Sequence, residues 1–325
     1  MALRAQQPDI TIPPTFSLHI RDTHPVASPP ISFSFTQCDG RGNVYFDLTG
    51  TSLFGGNILR VSGDGQEVRP ISLPTSLGKY GEWHYSVDQD GGLYAIFSEA
   101  ENHVLVHLSL SGEEMYRTTL SLPLYFHVYS FAVLPDGRSM FFGSLPSRET
   151  SASNEIPFSI WLDAGGRLVR KTPPEKQFSP STDRPDGLVA AGRPGTFIEA
   201  TTSEIRVFAA DGNLLQTFPI IQPTKDSFVS SLQLVDGLIA IAFQHPANTG
   251  STEAEGTSKS ESSPAPYSVL LEQIWLVANP VSGELKAFYN KPKDFVGSTV
   301  CYLGHREFLY MTVKDRRLWF MEASE

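Results

Sequence analysis

The chain has 325 residues, of which 40% are apolar and only 18% are charged, and its formal net charge is −10. This composition supports a packed core and excludes wholesale disorder. An acidic chain without a basic stripe is a poor partner for nucleic acid, because phosphate binding needs clustered Lys and Arg. No stretch reaches the roughly 18 to 20 apolar residues of a membrane-spanning helix.

Residues 1–14 are predicted to be a flexible N-terminal tail. The first seven residues lack the hydrophobic region of a signal peptide, but Ala-Leu-Arg-Ala-Gln-Gln also fits the remnant of a trimmed export signal. The first interpretation places the protein in the cytoplasm, and the second places it in the periplasm or outside the cell.

A turn motif then recurs six times along the chain. Its copies are DGRGNVY (39–45), DQDGGLY (88–94), LPDGRSM (134–140), GRPGTFI (192–198), LVDGLIA (234–240) and LGHREFL (303–309). An apolar run lies on either side of each copy, which predicts a strand, a tight turn and a second strand. Glycine suits such turns because it adopts positive φ without a steric penalty.

A second motif follows the first five copies and again consists of a β-rich run, a turn and another run. It covers residues 57–74, 104–123, 158–174, 205–220 and 274–292. Together the two motifs predict four consecutive antiparallel strands per unit, and radial repetition of such units defines the blades of a β-propeller. The sequence therefore predicts an all-β, six-bladed β-propeller that occupies residues 1–325 as one domain.

The fifth unit contains an insert at residues 246–266 that is rich in Ser, Glu, Gly and Pro. This composition predicts a disordered loop, either a solvated connection or a lid or partner tether. Two further long loops, at 46–57 and 145–157, belong to the first and third units. All three are expected to rise on the same face of the disc.

The sixth unit provides only three strands before the sequence ends, so its blade lacks an outer strand. The segment TFSLHI (15–20) is similar to the outer-strand segments of other units. An open ring would leave two unpaired sheet edges. We therefore predict that residues 15–20 complete the last blade, and that deletion of residues 1–24 destabilises the whole ring.

The segments DGRGNVYF (39–46) and DQDGGLYAIF (88–97) resemble the blade signature of NHL repeats. The chain is thus similar to the six-bladed propellers that include NHL-repeat proteins and gluconolactonase or regucalcin-like lactonases. Those lactonases hold one divalent metal with a Glu, an Asn and an Asp from three inner strands. The segment RPDGLVA (184–190) resembles the one that carries the Asp, so the resemblance implies Asp186 as a ligand of one Ca²⁺ or Zn²⁺ ion.

The remaining lactonase ligands have no counterpart at the matching positions. The segment YSFAVLPDG (129–137) lacks the expected Asn-Gly pair, and FSFTQCDG (33–40) lacks the Glu. A Pro-Asp-Gly sequence is also an ordinary turn, because Pro fixes φ and Asp-Gly closes the turn. On this second interpretation Asp186 is structural and the protein needs no cofactor.

Candidate ligand-binding residues lie just before the inner strand of each blade, where a propeller forms its channel mouth. They are Glu82, Trp83, His84, Tyr125, His127, Tyr129, Arg184, Asp186, Asp226 and Asp294. This mixed set suits a small polar ligand in an aromatic-rimmed mouth. His84 and His127 could also share a metal or act as acid and base. The alternative is that both are partly buried and bonded to backbone.

Cys38 and Cys301 are the only cysteines, and both precede turn motifs in blades that meet where the ring closes. A disulfide is conceivable, but two buried free thiols are the preferred prediction. Trp161, Trp275 and Trp319 recur in third strands, and we expect them to pack between blades.

Three hypotheses for function follow. The favoured one is a monomeric, non-catalytic binding module that presents its loop-rich face to a protein or a small polar ligand. The alternative is a metal-dependent, lactonase-like hydrolase with its site at the channel mouth. The third is a structural part of a cell-surface or periplasmic assembly. Binding is favoured because the sequence has neither a Gly-x-Ser-x-Gly elbow nor a phosphate-binding glycine loop.

Overall fold

The structure is a computed structural model that describes residues 12–26, 36–47, 57–73, 83–99, 102–123, 125–146, 155–172, 187–224, 227–246, 271–292, 298–314 and 317–325. These residues form strands and turns only, and they contain no helix that is long and apolar enough to cross a membrane. Residues 1–11 of the predicted tail lie outside this part, as does the predicted loop at 246–266 apart from Pro246.

The strands assemble into six sheets. Two N-terminal strands come first: β1 (Thr15–Ser17) and β2 (His19–Pro25). Blade one has β3 (Thr36–Cys38), β4 (Val44–Asp47), β5 (Asn57–Val61) and β6 (Val68–Ser72). Blade two has β7 (Trp83–Val87), β8 (Leu93–Glu99), β9 (Asn102–Leu108) and β10 (Glu114–Leu120). Blade three has β11 (His127–Val133), β12 (Ser139–Pro146), β13 (Glu155–Leu162) and β14 (Leu168–Lys171).

The second half of the ring repeats this pattern. Blade four has β15 (Leu188–Ala191), β16 (Thr196–Ala200), β17 (Glu204–Ala209) and β18 (Leu214–Pro219). Blade five has β19 (Phe228–Val235), β20 (Leu238–Pro246), β21 (Leu271–Ala278) and β22 (Leu285–Asn290). Blade six has β23 (Ser298–Gly304), β24 (Glu307–Lys314) and β25 (Arg317–Ser324).

The inner strands β3, β7, β11, β15, β19 and β23 each contact the next, and β23 contacts β3. Neighbouring strands within each blade pair antiparallel in consecutive hairpins. The prediction of a closed, six-bladed, all-β propeller is confirmed.

An N-terminal strand completes the last blade, as predicted, but only His19 and Ile20 of the predicted segment belong to it. Strand β2 pairs antiparallel with β25, from His19 opposite Ser324 to Pro25 opposite Trp319. Strand β1 instead pairs in parallel with β22, the outer strand of blade five. The N-terminus therefore spans the junction of blades five and six.

The predicted range was wrong for residues 15–18, because Phe16 and Leu18 pack between blades. Phe16 stacks on Tyr289 of blade five at 5.7 Å between ring centroids. Leu18 is buried in a cluster that joins blades five and six. Strand β2, by contrast, is exposed along most of its length, so no apolar alternation marks it in the sequence.

Cys38 and Cys301 form a disulfide between β3 and β23, so the preferred prediction of free thiols was wrong. The Cα atoms of the two residues lie 5.9 Å apart, within the span that a disulfide bridges. Because these inner strands belong to blades one and six, the disulfide joins the first blade to the last.

The apolar core lies between neighbouring blades. Trp161 is fully buried, and its ring lies 4.9 Å from that of Phe208 in the next blade. Trp275 is equally buried, and its ring lies 5.7 Å from that of Phe308 in blade six. The prediction that these two tryptophans pack between blades is confirmed, and Trp319 is partly buried.

The recurring Asp stabilises the turn after the inner strand. Asp39 Oδ1 accepts the backbone N–H groups of Arg41 at 2.9 Å and Asn43 at 3.0 Å. Asp88 accepts two amides in the same way in blade two. These bonds explain why Asp precedes the positive-φ glycine by three residues in blades one and two.

Candidate functional site

The inner strands of blades one to five surround a central cavity of about 200 Å³. We define the upper face of the disc as the one where the inner strands begin, and the lower face as the one where the repeat turns lie. The cavity extends from His84, near the start of β7, down to Asp39 and Asp88 in the turns. It is the candidate site because it collects side chains from five blades.

An inner strand has a free edge whose backbone groups need hydrogen-bond partners. Gln37 of blade one supplies them to blade two. Its Nε2 donates to Tyr85 O at 2.7 Å, and Val87 N donates to its Oε1 at 2.9 Å. One side-chain amide thus pairs with the neighbouring strand much as a backbone amide would.

Gln233 of blade five makes the equivalent pair of bonds to blade six. Its Nε2 donates to Val300 O at 2.9 Å, and Tyr302 N donates to its Oε1 at 2.8 Å. We call Gln37 and Gln233 the amide clips. Ser130 links blades three and four in a simpler way, because its Oγ accepts Val189 N at 3.0 Å.

Sequence reasoning missed the amide clips, although a signal was present. Each Gln interrupts a run that is otherwise apolar or β-branched, TQC in β3 and LQLV in β19. A polar residue at such a position must find a partner inside the protein. The clips fix the inner ring, and the cavity that it encloses is therefore preformed.

Tyr129 and His84 line the upper part of the cavity. Tyr129 Oη and Ser144 Oγ form a hydrogen bond at 2.9 Å, and Ser144 is fully buried. This bond orients the phenol. Ser86 and Ser231 add hydroxyl groups from blades two and five.

The lower part of the cavity contains Asp88 and Tyr94. Burial raises the pKa of the Asp88 carboxyl, although amide N–H groups of Gly92 and Asp90 oppose this shift. Burial, followed by the charge of Asp88, raises the pKa of Tyr94 to about 12. The Tyr94 phenol is therefore a neutral hydrogen-bonding group at physiological pH.

His107 lies behind this end of the cavity and stacks on Tyr94, with ring centroids 4.5 Å apart. Burial lowers the pKa of His107, while the Asp88 charge partly offsets the shift. A neutral imidazole therefore supports the Tyr94 ring from behind. The lining therefore combines neutral phenol and hydroxyl groups with the carboxyl groups of Asp39 and Asp88.

The structure brings together only some of the predicted site residues. His84 and Tyr129 line one cavity, whereas Tyr125 is 65% exposed and His127 is also exposed, and neither is part of the lining. Trp83 is described only as the first residue of β7. The other candidates lie outside the described residues and stay predictions: Glu82, Arg184, Asp186, Asp226 and Asp294.

Within the described ranges, no group of three or more His, Cys, Asp or Glu side chains could hold a metal ion. Asp186, which the lactonase resemblance implies as a ligand, lies outside these ranges.

Neither a protein-family profile nor a curated protein sequence matches the chain. Solved structures do match. A luciferin-regenerating enzyme is similar with a TM-score of 0.51 at 6% identity, over 94% of this chain and 95% of that one. A gluconolactonase from Xanthomonas campestris has a TM-score of 0.46 at 13% identity, over 94% of this chain and 98% of that one. The Pan2 WD40 domain of Neurospora crassa has a TM-score of 0.45 at 8% identity, over 94% and 95%. At these identities the likeness shows the propeller fold alone.

Proposed function

We propose that the protein is a non-catalytic binding propeller that holds a small, neutral, hydroxyl-rich ligand in its central cavity. The observation that supports this proposal is the cavity itself, which five inner strands enclose and whose lining includes the polar residues Tyr129, His84 and Ser231. Ligand sites of this kind combine a preformed hollow with a few convergent polar groups.

The size of the cavity argues for a small ligand. Its volume of about 200 Å³ is below the roughly 300 to 1,000 Å³ of typical drug-sized pockets. The amide clips and the bond between Tyr129 and Ser144 order the lining before any ligand arrives. A preformed site loses less conformational entropy on binding, so a few hydrogen bonds suffice for useful affinity.

The disulfide supports a location in the periplasm or outside the cell. Such bonds persist in oxidising compartments and are rare in the cytosol, where thiols are kept reduced. The bond between Cys38 and Cys301 therefore supports a location in such a compartment.

The first experiment is a thermal-melt screen of the purified chain against polyols, monosaccharides, sugar acids and lactones. A ligand at about 100 times its dissociation constant adds about 2.7 kcal/mol to the folded state, which shifts the melting midpoint visibly. We expect one class to raise the midpoint of the wild type. Tyr129→Phe should bind that class up to roughly tenfold more weakly, because it lacks one hydrogen bond.

Tyr125→Phe is the matched control, because that ring is exposed and lies outside the cavity lining. It should bind like the wild type. Equal binding by Tyr129→Phe, or no shift with any compound, would contradict the proposal.

The same screen includes EDTA, Ca²⁺, Mg²⁺, Mn²⁺ and Zn²⁺. A rise with one ion that EDTA reverses and Asp186→Ala abolishes would replace this proposal with the metal-dependent hydrolase.

A further inference from the structure

In the outer strands of blades two to five, the second residue lies at a bulge in the pairing with the third strand, so these residues occupy equivalent places on the lower rim. They are Met115, Val169, Leu215 and Lys286. All are exposed: Met115 by 62%, Val169 by 46% and Leu215 by 54%, and the Lys286 side chain by 40%. Strand β6 of blade one pairs without a bulge, so its Arg69, whose side chain is 50% exposed, is equivalent in register to Arg170 of blade three. The bulge position is thus apolar in blades two to four and charged in blade five.

Leu168 and Leu214 extend this apolar surface, and each is 54% exposed. We call the five residues Met115, Leu168, Val169, Leu214 and Leu215 the apolar arc. Backbone and side-chain bonds join its blades. Ser121 N, just past β10, donates to Gly166 O in blade three at 2.7 Å, and Arg170 Nη1 donates to Asn213 Oδ1 in blade four. Exposed apolar side chains on three adjacent blades make this rim a candidate interaction surface.

Strand β14, at the centre of the arc, has an edge that no described strand covers. The edges of β10 and β18 also have no covering strand among the described residues, but three other outer edges of the ring are protected. Strand β6 contains Pro70, β22 is covered by β1, and β2 carries Arg21 and Asp22. Of the three uncovered edges, that of β14 is the one flanked by exposed Arg and Lys side chains. All four residues of β14 are exposed. Its outward backbone groups can pair with a further strand, as those of β22 do with β1.

The charges beside β14 indicate the partner. Arg167, Arg170 and Lys171 are exposed here, in a chain whose net charge is −10. A second copy that docked through the same surface would bring these cations against their own counterparts. An anionic membrane would repel Glu113 and Glu114 beside Met115 and would leave the edge of β14 unpaired. An acidic strand satisfies both the charges and the backbone groups.

We propose that β14 and the apolar arc bind an extended, acidic segment of a partner protein, which adds as a strand to blade three. Apolar residues of that segment contact Leu168 and Val169, and its carboxylates face Arg170 and Lys171. This binding mode is independent of the central cavity.

The test uses the full chain and a fluorescently labelled, acetylated peptide of alternating Glu and Val. Two matched probes replace each Glu by Lys, or the central Val by Pro. We expect fluorescence polarisation to report binding of the Glu peptide, with weaker binding at high salt. The Lys peptide should be repelled, and the Pro peptide should fail because it lacks a backbone donor. Hydrogen exchange should slow at the outward amides of β14.

Two protein variants locate the binding. Val169→Lys introduces the residue that blade five carries at the equivalent position, so the fold should tolerate it. The double substitution Arg170→Glu, Lys171→Glu reverses the charge. Each variant should bind the Glu peptide with roughly tenfold lower affinity than the wild type. Arg69→Glu, at the position of blade one equivalent to Arg170, is the control and should bind like the wild type. Unchanged melting midpoints show that all variants are folded.

Several outcomes would overturn the proposal. One is no binding of the Glu peptide at about 1 mM, the weakest affinity of interest. Another is that the variants bind the Glu peptide as tightly as the wild type does, or that the wild type binds all three peptides equally. A wild-type dimer that Val169→Lys dissociates would show that a second copy covers the arc. Binding to phosphatidylserine vesicles that Val169→Lys abolishes would show a membrane surface instead.

Discussion

Gln233 shows how one side chain stabilises the inner ring. It is 8% exposed and pairs with both Val300 O and Tyr302 N of the next blade. Gln233→Leu keeps a similar volume but leaves both backbone groups without these bonds. We expect a loss of about 1 to 3 kcal/mol in the free energy of unfolding, measured by urea denaturation. Gln216→Leu, on the exposed outer strand of blade four, should cost almost nothing. Equal stability of the two variants would contradict the role of the clip.

Asp88 is a titratable group in the cavity lining, so its contribution to the stability of the fold depends on pH. Because burial raises its folded pKa, its stabilising contribution is present below the unfolded pKa and is lost as pH rises through the folded pKa. Asp88→Asn keeps an oxygen for the amides of Asp90 and Gly92 but carries no charge. The melting midpoint of this variant relative to wild type should therefore rise between about pH 3 and pH 7.

Asp136 is the control, because its contribution to stability changes with pH in the opposite direction. Hydrogen bonding to Arg138 lowers the pKa of the Asp136 carboxyl, so its contribution is present above the unfolded pKa and is lost as pH falls. The relative midpoint of Asp136→Asn should fall over the same pH interval. If the relative melting midpoints of the two variants changed with pH in the same direction, burial would not determine the pKa of Asp88.

Residue patterns predicted the turns well and the inner ring poorly. The spacing of Asp and Gly in 39–45 and 88–94 follows from local hydrogen bonds to Asp39 and Asp88, which sequence alone contains. The partners of Gln37 and Gln233 belong to other blades. Sequence reasoning could mark these residues as unusual, but only the ring geometry identifies the bonds that they make.

At the scale of elements, the two N-terminal strands have different tasks. Strand β1 adds three residues to blade five, whereas β2 supplies the outer strand of blade six. Deletion of residues 1–17 should therefore cost roughly 1 to 2 kcal/mol, mainly from the loss of Phe16 packing. Deletion of residues 1–25 should lower the melting midpoint much further and broaden the transition, because blade six loses its outer strand.

Calorimetry of the two truncations distinguishes these roles. Equal midpoints would show that β2 contributes nothing to closure. The sequence indicated that an N-terminal strand was needed, because the sixth unit ends one strand short. It did not indicate β2, since a strand exposed on both faces has no apolar alternation to reveal it.

At the scale of the whole molecule, the disulfide links inner strands that are 263 residues apart in the chain. Closing so long a loop restricts the unfolded state, which typically stabilises a protein by about 2 to 5 kcal/mol. The double substitution Cys38→Ser, Cys301→Ser should lower the unfolding free energy by this amount. Treatment of the wild type with a reductant should produce the same loss, and the double variant should not respond to the reductant.

The reduced protein should still bind ligand, because β2 holds the last blade independently of the disulfide. A variant that is as stable as the wild type would contradict the role of the disulfide in closure.

The architecture could be predicted because repeats encode it several times over. The bond between Cys38 and Cys301 could not, because it depends on the approach of two inner strands that only the finished ring brings together.

Calorimetric titration of a channel-filling variant tests whether the cavity on the ring axis binds the ligand. Ala190 lines the cavity from β15, so Ala190→Phe places a ring in that space. Gln216→Phe places the same ring on the exposed rim. We expect Ala190→Phe to stay folded and lose at least roughly tenfold in affinity for the compound found in the melt screen, while Gln216→Phe binds normally. Unchanged affinity in a folded Ala190→Phe variant would show that the ligand binds elsewhere and that the channel is not the functional site.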